Sequence, residues 1–95
     1  MQVLKACAII NSNKAHVSIS VITTPGFGGV SDKVLFHNLP FKAITEQFLN
    51  CTVVDDDGVH PATAYACDKE IRVRTYTGIL GKANQTWQVS GEIHL

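Results

Sequence analysis

The stretch EIRVRTYTGILGKANQTWQVSGEIHL, residues 70–95, decides the predicted fold. Apolar residues occupy alternate positions in both of its halves: Ile71, Val73, Trp87, Val89 and Ile93. Period-two alternation is typical of strands with one buried face and one solvent-exposed face. Residues 78–84 contain two glycines and an asparagine, which favour a turn. We therefore predict two strands that pair as a hairpin at the centre of a sheet.

This hairpin has a predicted register in which Arg72 lies opposite Glu92. The register places the apolar residues on one face and the two opposite charges on the other. A shift of one residue would expose Trp87, so we expect the buried face to fix the register. The charge pair contributes only about 0.2–1 kcal/mol and is the weaker determinant.

Length and composition predict one domain spanning residues 1–95. Hydrophobic residues make up 45% of the chain and charged residues 17%, which is a globular composition with few charges. A small domain with so few charges leaves apolar surface exposed. We therefore predict self-association into a homo-oligomer.

Charge and cysteine usage narrow the function classes. Eight basic and eight acidic residues give a net charge of zero, which argues against nucleic-acid binding because that requires clustered cations. Three cysteines without a Cys-x-x-Cys pair predict reduced thiols and a cytoplasmic location. The sequence contains neither a signal-peptide pattern nor an apolar span of about 20 residues, so no membrane association is predicted.

Outside the central stretch, alternation and turn residues predict strands over residues 3–10, 16–23, 32–37 and 52–54. The first two should form a hairpin, and the first is apolar on both faces, which suits a central or interface position. Residues 59–67 are compatible with a strand or a helical turn, and their alternation favours the strand.

Residues 39–50 are predicted to form the single helix. Asn38 would cap it and Pro40 would occupy its first turn. An apolar stripe follows helical spacing: Phe41, Ile44 and Phe48. The predicted order is β-β-β-α-β-β-β-β, an α+β fold with one helix packed on a curved, mostly antiparallel sheet. The alternative is a partly closed barrel that is similar in strand order to the oligonucleotide/oligosaccharide-binding fold.

The leading functional prediction is a homo-oligomeric binding module for a small molecule or a protein. Its ligand would lie between the helix stripe (Phe41, Ile44, Phe48) and the sheet, or beneath the glycine-rich loop at Phe27. A second predicted site is an anion site on the polar face of the sheet. Its members are two cationic donors and one titrating partner: Arg72, Arg74 and His94.

Two other function classes remain open on the sequence alone. Nucleic-acid or glycan binding on a barrel face would use basic side chains: Lys14, Arg72, Arg74 and Lys82. A small enzyme would use a His or Asp of perturbed pKa in a cleft. The Asp55–Gly58 run does not fit a calcium-binding loop, and the histidines and cysteines lack zinc-like spacing. We predict no metal, no cofactor and no catalytic residue.

Overall fold

The computed structural model describes residues 2–23, 32–74 and 83–95. These residues form seven β-strands: β1 (Gln2–Asn11), β2 (Lys14–Thr23), β3 (Asp32–Phe36), β4 (Gln47–Asp55), β5 (Gly58–Cys67), β6 (Glu70–Arg74) and β7 (Gln85–His94). All seven belong to one antiparallel sheet in the order β1-β2-β7-β4-β5-β6-β3. The sheet curls into a half-barrel whose end strands are β1 and β3.

The core lies on the concave side of the sheet and is built from alternate residues of the strands. Trp87 is completely buried between Val21 of β2 and Val53 of β4, its two cross-strand neighbours. The predicted buried face of residues 70–95 is confirmed at five positions, Ile71, Val73, Trp87, Val89 and Ile93, whereas Leu95 at its end is only partly buried. Period-two alternation therefore identified the buried side chains correctly.

The predicted pairing of β6 with β7 is wrong. Strand β6 pairs with β5 and β3, whereas β7 pairs with β2 and β4. Arg72 accordingly lies opposite Tyr65 and Val34, and Glu92 lies opposite His16. Alternation specifies which face of a strand is buried, but not which strand lies beside it. The predicted turn at residues 78–84 falls largely outside the described residues.

The predicted helix over residues 39–50 is also wrong, and with it the α+β class. Its first part is an extended, bent segment that crosses one end of the half-barrel. Backbone N–H groups of Leu39 and Ala43 donate to the carbonyls of Lys69 and Asp68, each at 2.9 Å. Asn38, the predicted cap, has a φ of 61°, which is the left-handed conformation rather than a helix start.

The second part of the predicted helix belongs to strand β4. Gln47 donates from Nε2 to the carbonyl of His94 at 2.9 Å and accepts from the His94 N–H at 2.6 Å. Because no helix occurs among the described residues, the similarity in strand order to the oligonucleotide/oligosaccharide-binding fold does not hold either.

The remaining strand predictions are confirmed. β1 and β2 form a hairpin through a two-residue turn in which Ser12 has a φ of 57°, as primed turns require. Residues 59–67 lie within β5. The first strand is at the edge of the sheet rather than at its centre, so only its predicted interface role stays open.

Gly91 lies where the pairing between strands β4 and β7 ends. Their pairing ends at Asn50 and Ser90, one position before Leu49 and Gly91. Gly91 has a φ of 150°, and a Cβ at this position would lie 2.9 Å from Cδ2 of Leu49. A glycine therefore lets Leu49 pack directly over the backbone of β7 where the β4–β7 ladder ends.

Candidate functional site on the open side of the half-barrel

The two ends of the sheet border an apolar groove. Two cavities of about 240 and 370 Å³ adjoin at Phe36. One wall is formed by inward-facing residues of β1 and β2: Val3, Ala6, Ala8, Val17, Ile19 and Val21. The other wall comes from β3 and the segment after it: Val34, Leu35, Phe36, His37, Leu39 and Pro40. The groove therefore opens directly onto the hydrophobic core.

Strand β1, along one rim of this groove, is exposed at all ten positions. Ile9 is 65% exposed and Ile10 53%. Lys5 is its only charged residue, and it contains no proline. Among the described strands only β2 pairs with β1, so its other edge presents backbone N–H and C=O groups to solvent. Together these features make β1 an apolar, exposed edge strand.

The predicted apolar ligand site is dispersed by the loss of the helix. Phe41 is buried in the core, whereas Ile44 and Phe48 are 66% and 69% exposed. Phe48 instead lies on the convex face, where its ring meets Tyr65 edge-on at 6.2 Å. Phe27 lies outside the described residues.

The predicted anion-site residues lie on the same convex face, where Arg72 and Arg74 are neighbours but His94 is distant from both. Arg72 and Arg74 are on β6 and His94 is on β7, with β4 and β5 between them. Arg72 Nη2 lies 2.9 Å from Glu70 Oε1, and this hydrogen bond raises the pKa of Arg72. Arg74 lies with its Cζ 5.9 Å from the centre of the Tyr65 ring.

A second charge cluster surrounds Glu92 on β7. Lys14 Nζ lies 3.1 Å from its Oε1, and His16 Nε2 lies 3.7 Å from its Oε2. The Lys14 hydrogen bond is the main reason why the pKa of Glu92 is lowered. Lys14 and Arg72 thus pair with carboxylates of the same chain, which reduces the positive potential available to a phosphate backbone.

A polar hollow of about 320 Å³ crosses the convex face, and sequence reasoning missed it. Its polar lining comes from four neighbouring strands: Lys5, Ser18, Ser20, Asn50, Thr52, Gln88 and Ser90. The detectable signal was the regular appearance of small polar residues between buried ones in β2 and β7. Such residues are normally attributed to solvation, and only the strand order shows that they adjoin.

A hydrogen-bonded cluster surrounds Asp55 at the end of β4. The sequence did not predict it, because the Asp55–Gly58 run indicated only a turn. Oδ1 of Asp55 accepts from the Asp57 N–H at 2.9 Å and lies 3.0 Å from His60 Nε2. Oδ2 accepts from Nε2 of the buried Gln85 at 2.9 Å. The Gln85 bond, followed by that of His60, lowers the pKa of Asp55.

This cluster fastens the β4–β5 turn to β7. An ionised Asp55 with both oxygens engaged is an orienting acceptor, not a proton donor. Over the described parts of the chain, no group of three His, Cys, Asp or Glu side chains is placed to hold a metal ion. Burial raises the pKa of Cys51 to about 12, which leaves this thiol unreactive.

The described ranges contain no helix that is both long and apolar enough to cross a membrane. The fold and the site together define a class of protein: a single-sheet antiparallel half-barrel whose edge strand β1 is apolar and exposed. Comparisons of the chain with protein-family models, with curated proteins and with solved structures found no match.

Proposed function

We propose that this protein is a non-enzymatic, homo-oligomeric binding module that joins protein chains by β-strand addition along β1. The observation that carries the proposal is the exposure of all ten residues of β1 at the edge of the sheet. An extended segment added to such an edge gains main-chain hydrogen bonds along its length. The ligand class is thus an extended protein segment rather than a small molecule.

The composition of β1 supports this choice. Soluble proteins usually protect long sheet edges with prolines, charges or a covering element. Over residues 2–11 the chain has Lys5 as its single charge, and Ile9 and Ile10 expose more than half of their surface. A long, exposed apolar edge of this kind promotes aggregation unless a partner covers it. A partner strand that pairs with β1 would protect this edge.

The groove supplies the side-chain selectivity that main-chain pairing lacks. Every second side chain of an added strand would face the concave side, next to Ala6 and Ala8. There it would meet the apolar wall formed by Phe36 and Leu39. We therefore expect a preference for segments with apolar residues at alternate positions.

The proposal is tested by the mass of the protein in solution, measured by light scattering over a range of concentrations. We expect assemblies larger than the 10.3 kDa chain. Ala8→Pro should dissociate them. The N–H of Ala8 points to the exposed edge and not to β2, so proline removes a hydrogen bond to the added strand but none within the β1–β2 ladder. Ala8→Ser is the matched control, since it keeps the N–H and should assemble like the wild type.

Trp87, the only tryptophan, reports through its fluorescence whether each variant retains the folded core. A wild-type protein that remains a monomer at every concentration would contradict the proposal. So would a folded Ala8→Pro variant that assembles as well as Ala8→Ser.

A second candidate is binding of a neutral glycan on the convex face. The polar hollow offers hydroxyl and amide groups, and the exposed ring of Phe48 lies two residues from Asn50 on the same face of β4. A neutral oligosaccharide should then bind with an affinity that does not change with salt and that Phe48→Ala reduces. A steep loss of affinity with salt would indicate a phosphate-dominated ligand instead.

We also infer a reducing, cytoplasmic setting. The described thiols are all free: Cys7, Cys51 and Cys67. In an oxidising compartment, the exposed Cys7 on β1 would be open to oxidation. Alkylation of freshly lysed cells should modify Cys7 almost completely, and a large disulfide-linked fraction would contradict this location.

A further inference from the structure

We propose that the strand received by β1 is β1 of a second copy, paired antiparallel about a two-fold axis at Ala8. This inference rests on the proposed function, and it adds the identity of the partner and the register of the pairing. A two-fold axis gives both copies the same interface, which is the commonest arrangement of soluble dimers. Three properties of β1 lead to this one register.

The first property is the direction of the backbone hydrogen bonds. The N–H of Leu95 donates to the carbonyl of Asn13 at 2.7 Å. Asn13 directly precedes β2, so the odd-numbered residues of β2 direct their backbone N–H and C=O groups toward β7. The even-numbered residues of β2 therefore direct theirs toward β1. Their partners in β1 have odd numbers, as in the pair Asn11–Lys14. Antiparallel ladders alternate, so Ala6, Ala8 and Ile10 direct their N–H and C=O groups to the exposed edge.

An axis at Ala8 uses all three of these residues. Ala6 of each copy lies opposite Ile10 of the other, and the two Ala8 residues lie opposite each other. No other axis position pairs all three outward-bonding residues with one another. The irregularity of β1 between Val3 and Lys5 lies at the end of the paired segment and does not interrupt it.

The second property is the fit of side chains on the concave face. Ala6 and Ala8 are small and border the cavity of about 240 Å³. The second copy's Ile10, placed opposite Ala6, would extend over this cavity toward Phe36 and Leu39. The exposed isoleucine thus fills the space that the small alanine leaves open, twice in the dimer.

The third property is charge. An axis at Lys5 would place the two lysines directly opposite each other, which is unfavourable. With the axis at Ala8, Lys5 lies opposite Asn11, whose amide oxygen accepts hydrogen bonds. The two lysines are then separated by about 20 Å along the strand, beyond the Debye length at physiological salt.

The register is tested by disulfide trapping, because Cys7 would lie opposite Ile9 at a non-hydrogen-bonded pair, where Cβ atoms are closest. One protein carries Cys67→Ser and keeps Cys7. The other carries Cys67→Ser, Cys7→Ser and Ile9→Cys. Cys51 stays in both because it is buried.

Under mild oxidation we expect a covalent dimer from the mixture of the two proteins and loss of that product when either is oxidised alone. In each protein alone the thiols are diagonal neighbours about 7–8 Å apart, which is too far for a disulfide. Rapid crosslinking of the Cys7 protein alone would indicate an axis at Cys7 and would overturn the register.

The outcome also separates this inference from the proposed function. If light scattering shows an assembly that Ala8→Pro dissociates, but no mixture forms the crosslink, β1 receives a different strand and only the present inference fails. If both proteins are monomeric and form no crosslink, strand addition between copies fails as well. Trp87 fluorescence confirms that each protein is folded before it is oxidised.

Discussion

Strands β1 and β7 are both ten residues long and both place apolar side chains on the concave side of the sheet, yet their environments differ completely. β7 lies between β2 and β4, and Trp87, Val89 and Ile93 are at most 1% exposed. β1 has one neighbour among the described strands, and Ile9 remains 65% exposed. Position in the sheet, rather than sequence pattern, decides whether apolar side chains leave water.

This difference assigns separate roles to the two strands. Each buried methylene contributes about 0.8 kcal/mol, and the methylenes of β7 contribute it to folding. Those of β1 still face water in the isolated chain, so their contribution remains available for association. The comparison predicts that equivalent substitutions in the two strands affect different equilibria.

Trp87→Ala should therefore have the largest effect on folding. Removal of a fully buried indole is expected to lower the free energy of unfolding by about 3–5 kcal/mol. Ile9→Ala in β1 should change it by no more than about 0.5 kcal/mol, as exposed substitutions do. Urea unfolding followed by circular dichroism, at protein concentrations low enough for the chain to be monomeric, measures both, and similar losses for the two variants would refute the assigned roles.

Gly91→Ala should have the next largest effect, because Gly91 lies where the β4–β7 ladder ends and Leu49 approaches the backbone of β7. Its φ of 150° and the 2.9 Å approach to Leu49 both oppose a side chain. We expect a loss of about 1–3 kcal/mol, the usual cost of an unfavourable backbone region, with the contact added to it.

Gly58→Ala separates these two contributions. Gly58 also has a positive φ, 123°, but a Cβ there would meet nothing within 4 Å. This variant should lose only the backbone contribution and remain more stable than Gly91→Ala in urea unfolding. A Gly58→Ala variant less stable than Gly91→Ala would show that the contact with Leu49 does not oppose a side chain at position 91.

The sequence did not predict where the β4–β7 ladder ends, and it wrongly predicted a helix over residues 39–50. Alternation identified the strands and their buried faces because each signal is local to about five residues. Residues 39–50 carried two patterns at once. Phe41, Ile44 and Phe48 follow helical spacing, whereas Leu39, Phe41 and Ala43 follow strand spacing, and the latter are the buried set.

Long-range hydrogen bonds decided between the two patterns. The backbone groups of Leu39 and Ala43 bond to the β5–β6 turn, and Gln47 bonds to His94 at the end of β7. These partners lie more than 20 residues away in sequence, so no local pattern contains them. The same reason hid the strand order, because β6 and β7 are consecutive in sequence but separated by β4 and β5.

Asp55 should make stability dependent on pH in the acid range. Its pKa is lowered below the ordinary value of 3.8, so its contribution is complete above that pH and is lost as the pH falls through the folded-state pKa. Asp55→Asn should flatten the decline in urea midpoint below pH 3.8. Glu92→Gln, which removes another carboxylate of lowered pKa from an exposed pair, should flatten it less. Parallel acid profiles for wild type and Asp55→Asn would refute the role of this cluster.

The smallest expected effect concerns Lys5 and Asn11 across the proposed two-fold axis. Cross-strand polar pairs contribute about 0.2–1 kcal/mol each, so Lys5→Ala should weaken dimerisation by about fivefold or less per pair. Asn11→Ala should weaken it similarly, and the double variant should lose less than the sum, because the two residues share one interaction. Dilution measurements of the dimer give all four affinities. Strictly additive losses would mean that Lys5 and Asn11 do not face each other, and the axis would then have to move away from Ala8 even if β1 remains the interface.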